Sequence, residues 1–509
     1  MPYIKRDIDK KIRNWYESNT KSLMILGARQ IGKSESVKEF LRNLYGIRND
    51  ELLPIIDLEN LPVIKEQIIR GEAPGGGSFI RNLFANADKM VDLDKCKIIL
   101  IDEVQSLSNL KKGIAQTEIT KILAKLISEE EFRFIFSGSL LGSKIHDIEK
   151  LTKDLPGGIQ HFYMYPISFA EFVNFLDKND KNLKTAKKQI LNSQTVSEEV
   201  HVSLLKRFGE YCFVGGMPIS VLTYEDKKYS VSESMSAIHD LIEGYERDIT
   251  KYYKDELDLD IKHELFEQLL AGIKSNDKAE FMKAFKDDPH KTLYRFLIDS
   301  DVGLLVSHID EYGVSLDKQK MPKTYFSDVG FMRNLIEERV QRYKDYNEVP
   351  GALRDYFHVD SLDVVKNNYI NYVDDSGGST FPGAGYFFEQ VIAQNIKALA
   401  YEYAYKFIKK TQIELEFILP SNNSAIEVKS GNLGSCKSSI SYAKTGKTVY
   451  LLSLLPYVCS AYENYYLLPI YCVCLLNQNE LFQIAFDEKN NRVDEILKSR
   501  RLPNTKGFF

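Results

Sequence analysis

The 509-residue chain is poor in the features that define several protein classes. It has six cysteines and no Cys-x-x-Cys pair, which argues against a zinc ribbon or finger and is typical of a reducing compartment. Its 67 basic and 72 acidic residues nearly balance, so the chain as a whole is not a basic nucleic-acid coat, although a local basic groove stays open. A hydrophobic share of 44% is ordinary for a globular protein and excludes a largely disordered or collagenous chain.

Long apolar runs are also lacking. The longest, residues 465–476, is interrupted by Pro469 and is too short to cross a bilayer, so it predicts a strand pair or a core segment. The N-terminal residues contain no apolar signal core. We therefore expect a cytoplasmic protein without a membrane partner.

Short apolar segments near the N-terminus predict the fold class. Residues 23–26, 97–101 and 132–136 have the composition of buried parallel strands, and residues 53–58 are a fourth candidate. A helical pattern at residues 34–44 separates the first two candidates along the chain. This alternation predicts an α/β domain with a parallel sheet.

Composition shifts further along the chain predict additional domains. A mostly helical stretch precedes a small hairpin, which suggests a winged-helix-like unit, and a turn-rich stretch separates this unit from a helix at 386–399 and a second set of strands. The predicted division is an α/β core at 1–175, a helical lid region at 176–255, a winged-helix-like region at 256–345, a linker or insertion at 346–385 and a second α/β domain at 386–509.

Residues 27–34 match the phosphate-loop pattern G-x-x-x-x-G-K-[ST], directly after an apolar strand and at the start of a helix. Gly27 and Gly32 let the backbone curl so that its N–H groups surround a phosphate, beside the positive end of the following helix. Lys33 is predicted to reach the β- and γ-phosphates of ATP, and the hydroxyl of Ser34 to bind Mg²⁺. The predicted nucleotide-binding residues are Gly27, Ala28, Arg29, Gln30, Ile31, Gly32, Lys33 and Ser34.

A second element makes a chance match improbable. The strand at 97–101 ends in Asp102 and Glu103, at the sheet edge where α/β domains bind ligands. Asp102 is predicted to hold Mg²⁺, with a helix cap as the alternative, and Glu103 to act as general base for the attacking water. Ser137, at the end of the next strand, either senses the γ-phosphate or positions the water, or else caps a turn.

The C-terminal region contains a weaker pattern. In the E-x-K strand formed by residues 426–429, Glu427 and Lys429 share one face, since side chains alternate along a strand. With Glu416 and Glu389, they can form a Mg²⁺-binding carboxylate set in which Lys429 holds the nucleophile. An active nuclease, a degenerate nuclease fold used for binding or assembly, and a solvated strand face all remain open.

These motifs resemble a known family. Their order is similar to that of AAA-type P-loop ATPases of bacteria and archaea with a restriction-endonuclease-like, PD-(D/E)XK-type C-terminal domain. Residues 165–172, 213–218, 244–248 and 325–330 resemble further family segments, written YPLSFxEF, GGxP, YxxD and YFxDxG. In this resemblance Glu427 and Lys429 correspond to the E-x-K residues, and Glu416 replaces the usual metal-binding aspartate.

The motifs predict a Mg²⁺-dependent ATPase that couples its nucleotide state to nucleic acid or to a partner, either a protein or another copy of the chain. Two alternatives are a nucleotide-gated, metal-dependent nuclease and a slow nucleotide switch that serves as a protein-interaction scaffold. Nucleic-acid binding is suggested by basic clusters at 406–410 and 498–501, which are also typical of solvated surface.

Overall fold

The computed structural model describes residues 2–18, 22–61, 79–87, 90–104, 131–139, 158–253, 301–306, 323–334, 384–408, 413–429, 436–462 and 464–486, together with residues 66, 68, 106, 123, 124, 126 and 127. Contacts divide the chain into two compact units. The first contains Met1–Tyr165 and Arg295–Val302, and the second contains Pro166–Tyr294 and Gly303–Phe509. The finer five-part division stays a prediction, and the predicted linker at 346–385 falls almost entirely outside the described residues.

The described part of the first unit contains a five-stranded sheet in the order β2-β3-β4-β1-β5. The strands are β1 (Ser22–Gly27), β2 (Ile55–Asp57), β3 (Ile98–Asp102), β4 (Arg133–Ser139) and β5 (Ile159–Tyr163). All neighbours are parallel, which confirms the predicted parallel sheet and its four predicted strands. Sequence reasoning missed β5, because this edge strand is partly exposed and carries polar Gln160 and His161.

Helices pack beside this sheet because each has an apolar stripe. Helix α1 (Asp7–Glu17) buries Ile8, Ile12 and Trp15, which recur at helical spacing. Helix α2 (Lys33–Tyr45) begins within the phosphate loop, as predicted, and is followed by α3 (Phe79–Asn86). Strand and helix side chains together form an apolar core that includes Met24, Leu26, Ile56, Leu83, Phe84, Ile99, Ile101, Phe134 and Phe136.

The second unit begins with the predicted helical region. Its helices here are α4 (Phe169–Asp177), α5 (Lys181–Leu191), α6 (Glu198–Val214), α7 (Pro218–Asp226) and α8 (Val231–Tyr253). Local signals explain several of their ends. Ser168 and Glu171 form a capping box at the start of α4, and Pro218 occupies the first turn of α7, where a missing N–H costs nothing.

Strands β6 (Gly303–Val306) and β7 (Lys323–Phe326) pair antiparallel, so the strands of the predicted hairpin are present. Residues 254–300 and 335–345, which would complete the winged-helix-like unit, lie outside the described part of the chain. The winged helix therefore stays a prediction.

A six-stranded mixed sheet lies in the C-terminal part, in the order β12-β13-β11-β10-β9-β8. Its strands are β8 (Ala404–Ile408), β9 (Ile413–Leu419), β10 (Ser424–Val428), β11 (Val449–Ser453), β12 (Cys459–Tyr462) and β13 (Tyr465–Pro469). The run at 465–476 is a buried core segment and not a strand pair. It leaves the ladder at Pro469, which has no N–H to donate, and continues as a 3-10 turn at Cys472–Cys474.

Helix α9 (Ala384–Ala398) has a buried polar face that organises the second unit; two short helices, α10 (Lys437–Ala443) and α11 (Gln478–Phe482), follow it in the chain. The Gln390 amide bonds both the N–H and the carbonyl of Phe326, as a neighbouring strand would. Asn395 accepts from the N–H of Phe169, and Gln394 accepts from that of Val329. The helix thus satisfies buried main-chain groups from segments far apart in sequence.

Asp328 lies at the centre of the same network and is fully buried. Its carboxylate accepts from the N–H groups of Gly216 and Gly330 and from the Gln394 amide at 2.5, 2.8 and 2.9 Å. Burial raises the pKa of Asp328 to about 6, although these three donors oppose the shift. Two of the family-like segments, at 213–218 and 325–330, are therefore joined by hydrogen bonds between buried groups.

His201 on α6 predicts a pH dependence of stability. Its Nε2 lies 3.0 Å from the Leu454 carbonyl and its Nδ1 lies 2.8 Å from the Tyr471 hydroxyl. Burial lowers the pKa of His201 from 6.5 to about 4, so the unfolded chain binds a proton between these pH values and the folded chain does not. We expect the free energy of unfolding to fall by about 3 kcal/mol as the pH drops from about 6.5 to about 4.

The measurement is the denaturation midpoint against pH for the wild type and for His201→Gln, which keeps one donor and one acceptor. The difference between the two curves should slope only in this window. Parallel curves would contradict the assignment.

Candidate nucleotide-binding site

Parallel strands bring the predicted residues to one edge of the first sheet. Strand β4 lies between β1 and β3, with Gly27 paired to Ser139 and Ile25 paired to Ser137. The phosphate loop follows β1, and Asp102 ends β3. Ser137 therefore lies on the strand between the loop and Asp102.

The two glycines of the phosphate-loop pattern, Gly27 and Gly32, adopt backbone conformations that other residues rarely reach. Gly32 has φ +92° at the start of α2. Gly27 has φ +151°, and a Cβ there would lie 2.3 Å from the Met164 carbonyl oxygen and 2.5 Å from Ile31 Cδ1. The N–H of Met164 also donates to the Leu26 carbonyl at 2.8 Å. The loop is thus packed directly against the chain that leaves β5.

Lys33 is buried and bonded within the loop. Its Nζ donates to the carbonyls of Gly27 and Ala28 at 3.1 and 2.7 Å. Burial lowers the pKa of Lys33, and the negative charges of nearby acids, Glu103, Asp102 and Asp301, oppose that shift. A phosphate bound in the loop would interact with the Lys33 ammonium, which the loop carbonyls of Gly27 and Ala28 already hold in place.

Asp102 is held by two donors on one oxygen. The N–H of Glu103 donates to Asp102 Oδ1 at 3.0 Å, and the Ser137 hydroxyl donates to the same atom. Among the described residues none donates to the other oxygen, Oδ2, and Asp102 is 7% exposed. This arrangement orients one carboxylate oxygen for a further ligand, and it places Ser137 on Asp102 and not in a turn cap.

Glu103 has a left-handed backbone, φ +56°, which is unusual for a residue with a Cβ. Strained backbone of this kind costs about 1–3 kcal/mol and is concentrated at functional sites. Glu103 is half-buried at the end of β3, and its charge acts on Lys33. The structure thus brings Lys33, Asp102, Glu103 and Ser137 to one place.

The remaining loop residues differ in exposure. Ala28 and Ile31 are buried, Arg29 and Ser34 are half-buried, and Gln30 is exposed. Ser34 occupies the first turn of α2, beside Lys33. Its hydroxyl is therefore at the helix start, where the sequence predicts a Mg²⁺ ligand.

Sequence reasoning missed two residues that lie near this loop. Arg6 precedes α1 and donates to the carbonyls of Ile31 and Tyr165. Asp301, which belongs to the first unit, has φ +56° and acts electrostatically on Lys33. Neither residue belongs to a motif, and each is distant in sequence from the loop.

The C-terminal residues form a buried ion pair. Lys429 Nζ lies 2.6 Å from Glu427 Oε1, with the glutamate side chain 3% exposed and the lysine 22%. Burial works against the charged form of Lys429, but the carboxylates of Glu427 and Glu416 hold its pKa above the usual value. The second Glu427 oxygen is buried, and no described residue donates to it. Glu416, Glu427 and Lys429 therefore do come together.

Glu389 accepts a hydrogen bond from the Tyr325 hydroxyl. Within the described parts of the chain, no three acidic, histidine or cysteine side chains are grouped so that they could hold a metal ion. Of the basic cluster at 406–410, Lys406 is buried in β8, and residues 409 and 410 lie outside the described residues, as do 498–501. None of the described helices is long and apolar enough to cross a bilayer.

Two domain families match parts of this chain. Residues 19–173 match AAA_14, an AAA domain, and residues 205–342 match DUF8612, a domain of unknown function. No curated protein matches the chain at a significant level. The first match agrees with the parallel sheet and the phosphate loop, and it supports an AAA-type P-loop ATPase in this part of the chain.

The chain is also similar to solved structures. One is the Walker-type ATPase PABY2304 of Pyrococcus abyssi, which is 16% identical, covers 65% of this chain and 96% of its own, and gives a TM-score of 0.37. Another is the ORC2 protein of Aeropyrum pernix in ADPNP–ADP complexes, at 13% identity, 67% and 95% coverage and a TM-score of 0.32. A third is the ORC1 protein of Aeropyrum pernix in complex with DNA, which is 11% identical, covers 67% of this chain and 95% of its own, and gives a TM-score of 0.27.

The close approach at Gly27 predicts that Gly27→Ala weakens nucleotide binding. The added methyl would overlap the Met164 carbonyl, so the loop must move. We expect the dissociation constant for ATP, measured by titration calorimetry, to rise by at least about tenfold, or 1.4 kcal/mol.

Gly46→Ala is the matched control. Gly46 also has a positive φ, +69°, but an added Cβ would meet nothing within 4 Å. This variant should lose about 1 kcal/mol of stability and bind ATP normally. Equal ATP affinity in both variants would contradict the steric argument.

The buried pair predicts strong coupling between Glu427 and Lys429. Lys429→Met leaves a buried carboxylate without its cation, and Glu427→Gln removes the partner of a partly buried ammonium. We expect each single variant to lose about 2 kcal/mol in urea denaturation and the double variant to lose less than their sum. The exposed pair Lys184–Asp180 is the control, with coupling within about 0.5 kcal/mol. Additive effects at 427 and 429 would contradict the ion-pair interpretation.

Proposed function

We propose that this protein binds ATP with Mg²⁺ and hydrolyses it at the carboxyl edge of the first sheet, and that the nucleotide state controls binding of a macromolecular partner. The observation that carries the proposal is the convergence of the phosphate loop, Asp102, Glu103 and Ser137 at one sheet edge. Nucleotides bind at this edge in open α/β sheets, and the residue types suit phosphoryl transfer.

Each side chain has a role that its geometry suits. Loop N–H groups and Lys33 would bind the phosphates, with Lys33 exchanging its bonds to Gly27 and Ala28 for phosphate oxygens. Ser34 and Asp102 Oδ2 would hold Mg²⁺, which when bound neutralises phosphate charge. Ser137 keeps the Asp102 carboxylate oriented.

Glu103 would accept the proton of the attacking water. Its left-handed backbone turns the chain away from β3 immediately after Asp102. Asp102 would therefore bind Mg²⁺ while Glu103, the next residue, accepts the proton. A general base of this kind contributes about 10²–10⁴ to the rate.

Two covalent connections support coupling between the site and the rest of the chain. Met164 and Tyr165, which contact the Leu26–Gly27 segment and Arg6, immediately precede the second unit. Asp301 acts on Lys33 and is followed within two residues by β6. A change in the loop on nucleotide binding would therefore displace chain segments that continue directly into the second unit.

The partner proposed first is nucleic acid, with a protein or a second copy of the chain as the alternative. The nuclease alternative has less support, because Lys429 is bound to Glu427 and Glu389 is bound to Tyr325. A C-terminal sheet that serves as a binding or assembly surface agrees better with this buried ion pair than a cleavage site does.

The test is ATP binding and turnover with Mg²⁺, each measured with and without DNA or RNA. Lys33→Ala should lose ATP binding, because a loop cation is missing. Glu103→Gln should bind ATP with nearly unchanged affinity and hydrolyse it at least about 100-fold more slowly, because its amide cannot take the proton.

Normal hydrolysis by Glu103→Gln would contradict the base assignment. Stimulation of wild-type turnover by one nucleic acid supports that partner, whereas turnover indifferent to both favours a protein-directed switch. Metal-dependent cleavage of nucleic acid that Lys429→Ala abolishes would instead establish the nuclease alternative.

A further inference from the structure

Arg6 binds the main chain of the phosphate loop, although it precedes the residues that match the AAA domain. It is buried, at 7% exposure. One terminal nitrogen donates to the Ile31 carbonyl at 3.0 Å, and the other donates to the Tyr165 carbonyl at 2.6 Å. A single planar guanidinium thus bridges the loop and the chain that follows β5.

The bond to Ile31 has a consequence for the next residue. Across a trans peptide the C=O and the N–H point in opposite directions. Because Arg6 fixes the Ile31 carbonyl, the N–H of Gly32 points to the other side of the loop. A loop that binds a phosphate needs its N–H groups on that side. Without the bond from Arg6, the Ile31–Gly32 peptide could rotate, because Gly32, at φ +92°, tolerates many backbone conformations.

Neighbouring contacts hold Arg6 in place. Its own N–H donates to Asp9 Oδ2 at 2.8 Å, and the Tyr3 hydroxyl lies 2.6 Å from Asp9 Oδ1 and 3.1 Å from Ser36 Oγ. Ser36 is buried in the first turn of α2. The segment before α1 therefore contacts both the loop and the helix that follows it.

We propose that Arg6 is a positioning residue for the phosphate site: it holds the Ile31–Gly32 peptide with its N–H toward the bound phosphates. The inference rests on the proposed ATP-binding function and adds a residue from outside the matched domain. Arg6 itself does not touch the nucleotide. It acts by reducing the number of loop conformations that compete with the binding-competent one.

The experiment is titration of the full chain with a fluorescent ATP analogue in Mg²⁺, for the wild type, Arg6→Lys and Arg6→Ala. Arg6 reaches the Ile31 and Tyr165 carbonyls from two separate terminal nitrogens, whereas a lysine has only one, so we expect Arg6→Lys to lose at least one of the two bonds and to weaken ATP binding as Arg6→Ala does. We expect dissociation constants at least about tenfold above the wild type. Arg6→Lys keeps the charge and most of the packing, so it provides the test if Arg6→Ala fails to fold.

Arg133→Lys is the matched control. The Arg133 guanidinium also bridges two main-chain carbonyls, those of Trp15 and Tyr16, but it lies at the amino end of β4, at the sheet edge opposite the loop. This variant should lower the thermal midpoint and leave the dissociation constant within about twofold of the wild type.

Two results would overturn the inference: wild-type affinity in both Arg6 variants, or equal loss of affinity in Arg133→Lys, which would mean that general stability is responsible. A wild-type protein that binds no ATP would instead contradict the proposed function. The wild-type titration therefore separates the two failures.

Discussion

The conformation of one short backbone segment, the phosphate loop, is the constraint on which the site depends. Gly27 and Gly32 have positive φ angles, which residues with a side chain rarely adopt. Gly27 also lies so close to the Met164 carbonyl that no Cβ fits. Lys33 bonds the Gly27 and Ala28 carbonyls within the loop. Residues outside the loop hold it as well, with Met164 on the Leu26–Gly27 segment and Arg6 on Ile31.

The order of strands determines the rest of the site. Since β4 separates β1 from β3, the Ser137 hydroxyl reaches Asp102 and leaves one carboxylate oxygen oriented for a ligand. The left-handed backbone of Glu103 ends the extended chain of β3, so Glu103 does not continue the strand that carries Asp102. Asp102 and Ser137 lie on buried strands, which makes their positions precise.

The second unit follows a different principle. Its stability comes from apolar packing, but its arrangement is specified by buried polar contacts: Gln390, Gln394 and Asn395 on α9 bond main-chain groups of segments distant in sequence, and Asp328 accepts three hydrogen bonds. Buried polar groups are costly unless they are satisfied, so such a network tolerates few alternative arrangements. The matched DUF8612 residues include part of this network.

The C-terminal sheet shows how far a strand pattern can be interpreted. Alternation in β10 correctly places Glu427 and Lys429 on one face, because the two side chains meet at 2.6 Å. The same pattern does not determine whether Lys429 binds a substrate or only neutralises the charge of Glu427. The tertiary structure brings the pair into a buried environment with Glu416, and Glu389 is bound to Tyr325 in β7.

The sequence by itself determined the phosphate loop, the acids at the end of β3, four of the five parallel strands and the E-x-K strand of the second sheet. These features depend on local chemistry: short apolar runs, glycine at tight bends and polar residues where strands end. Only the tertiary structure decided that Arg6 binds Ile31, that Ser137 binds Asp102, that Asp301 acts on Lys33 and that α9 joins the family-like segments. These contacts join residues far apart in the chain, and neither spacing nor composition encodes them, because they form only after the sheet and helices have assembled.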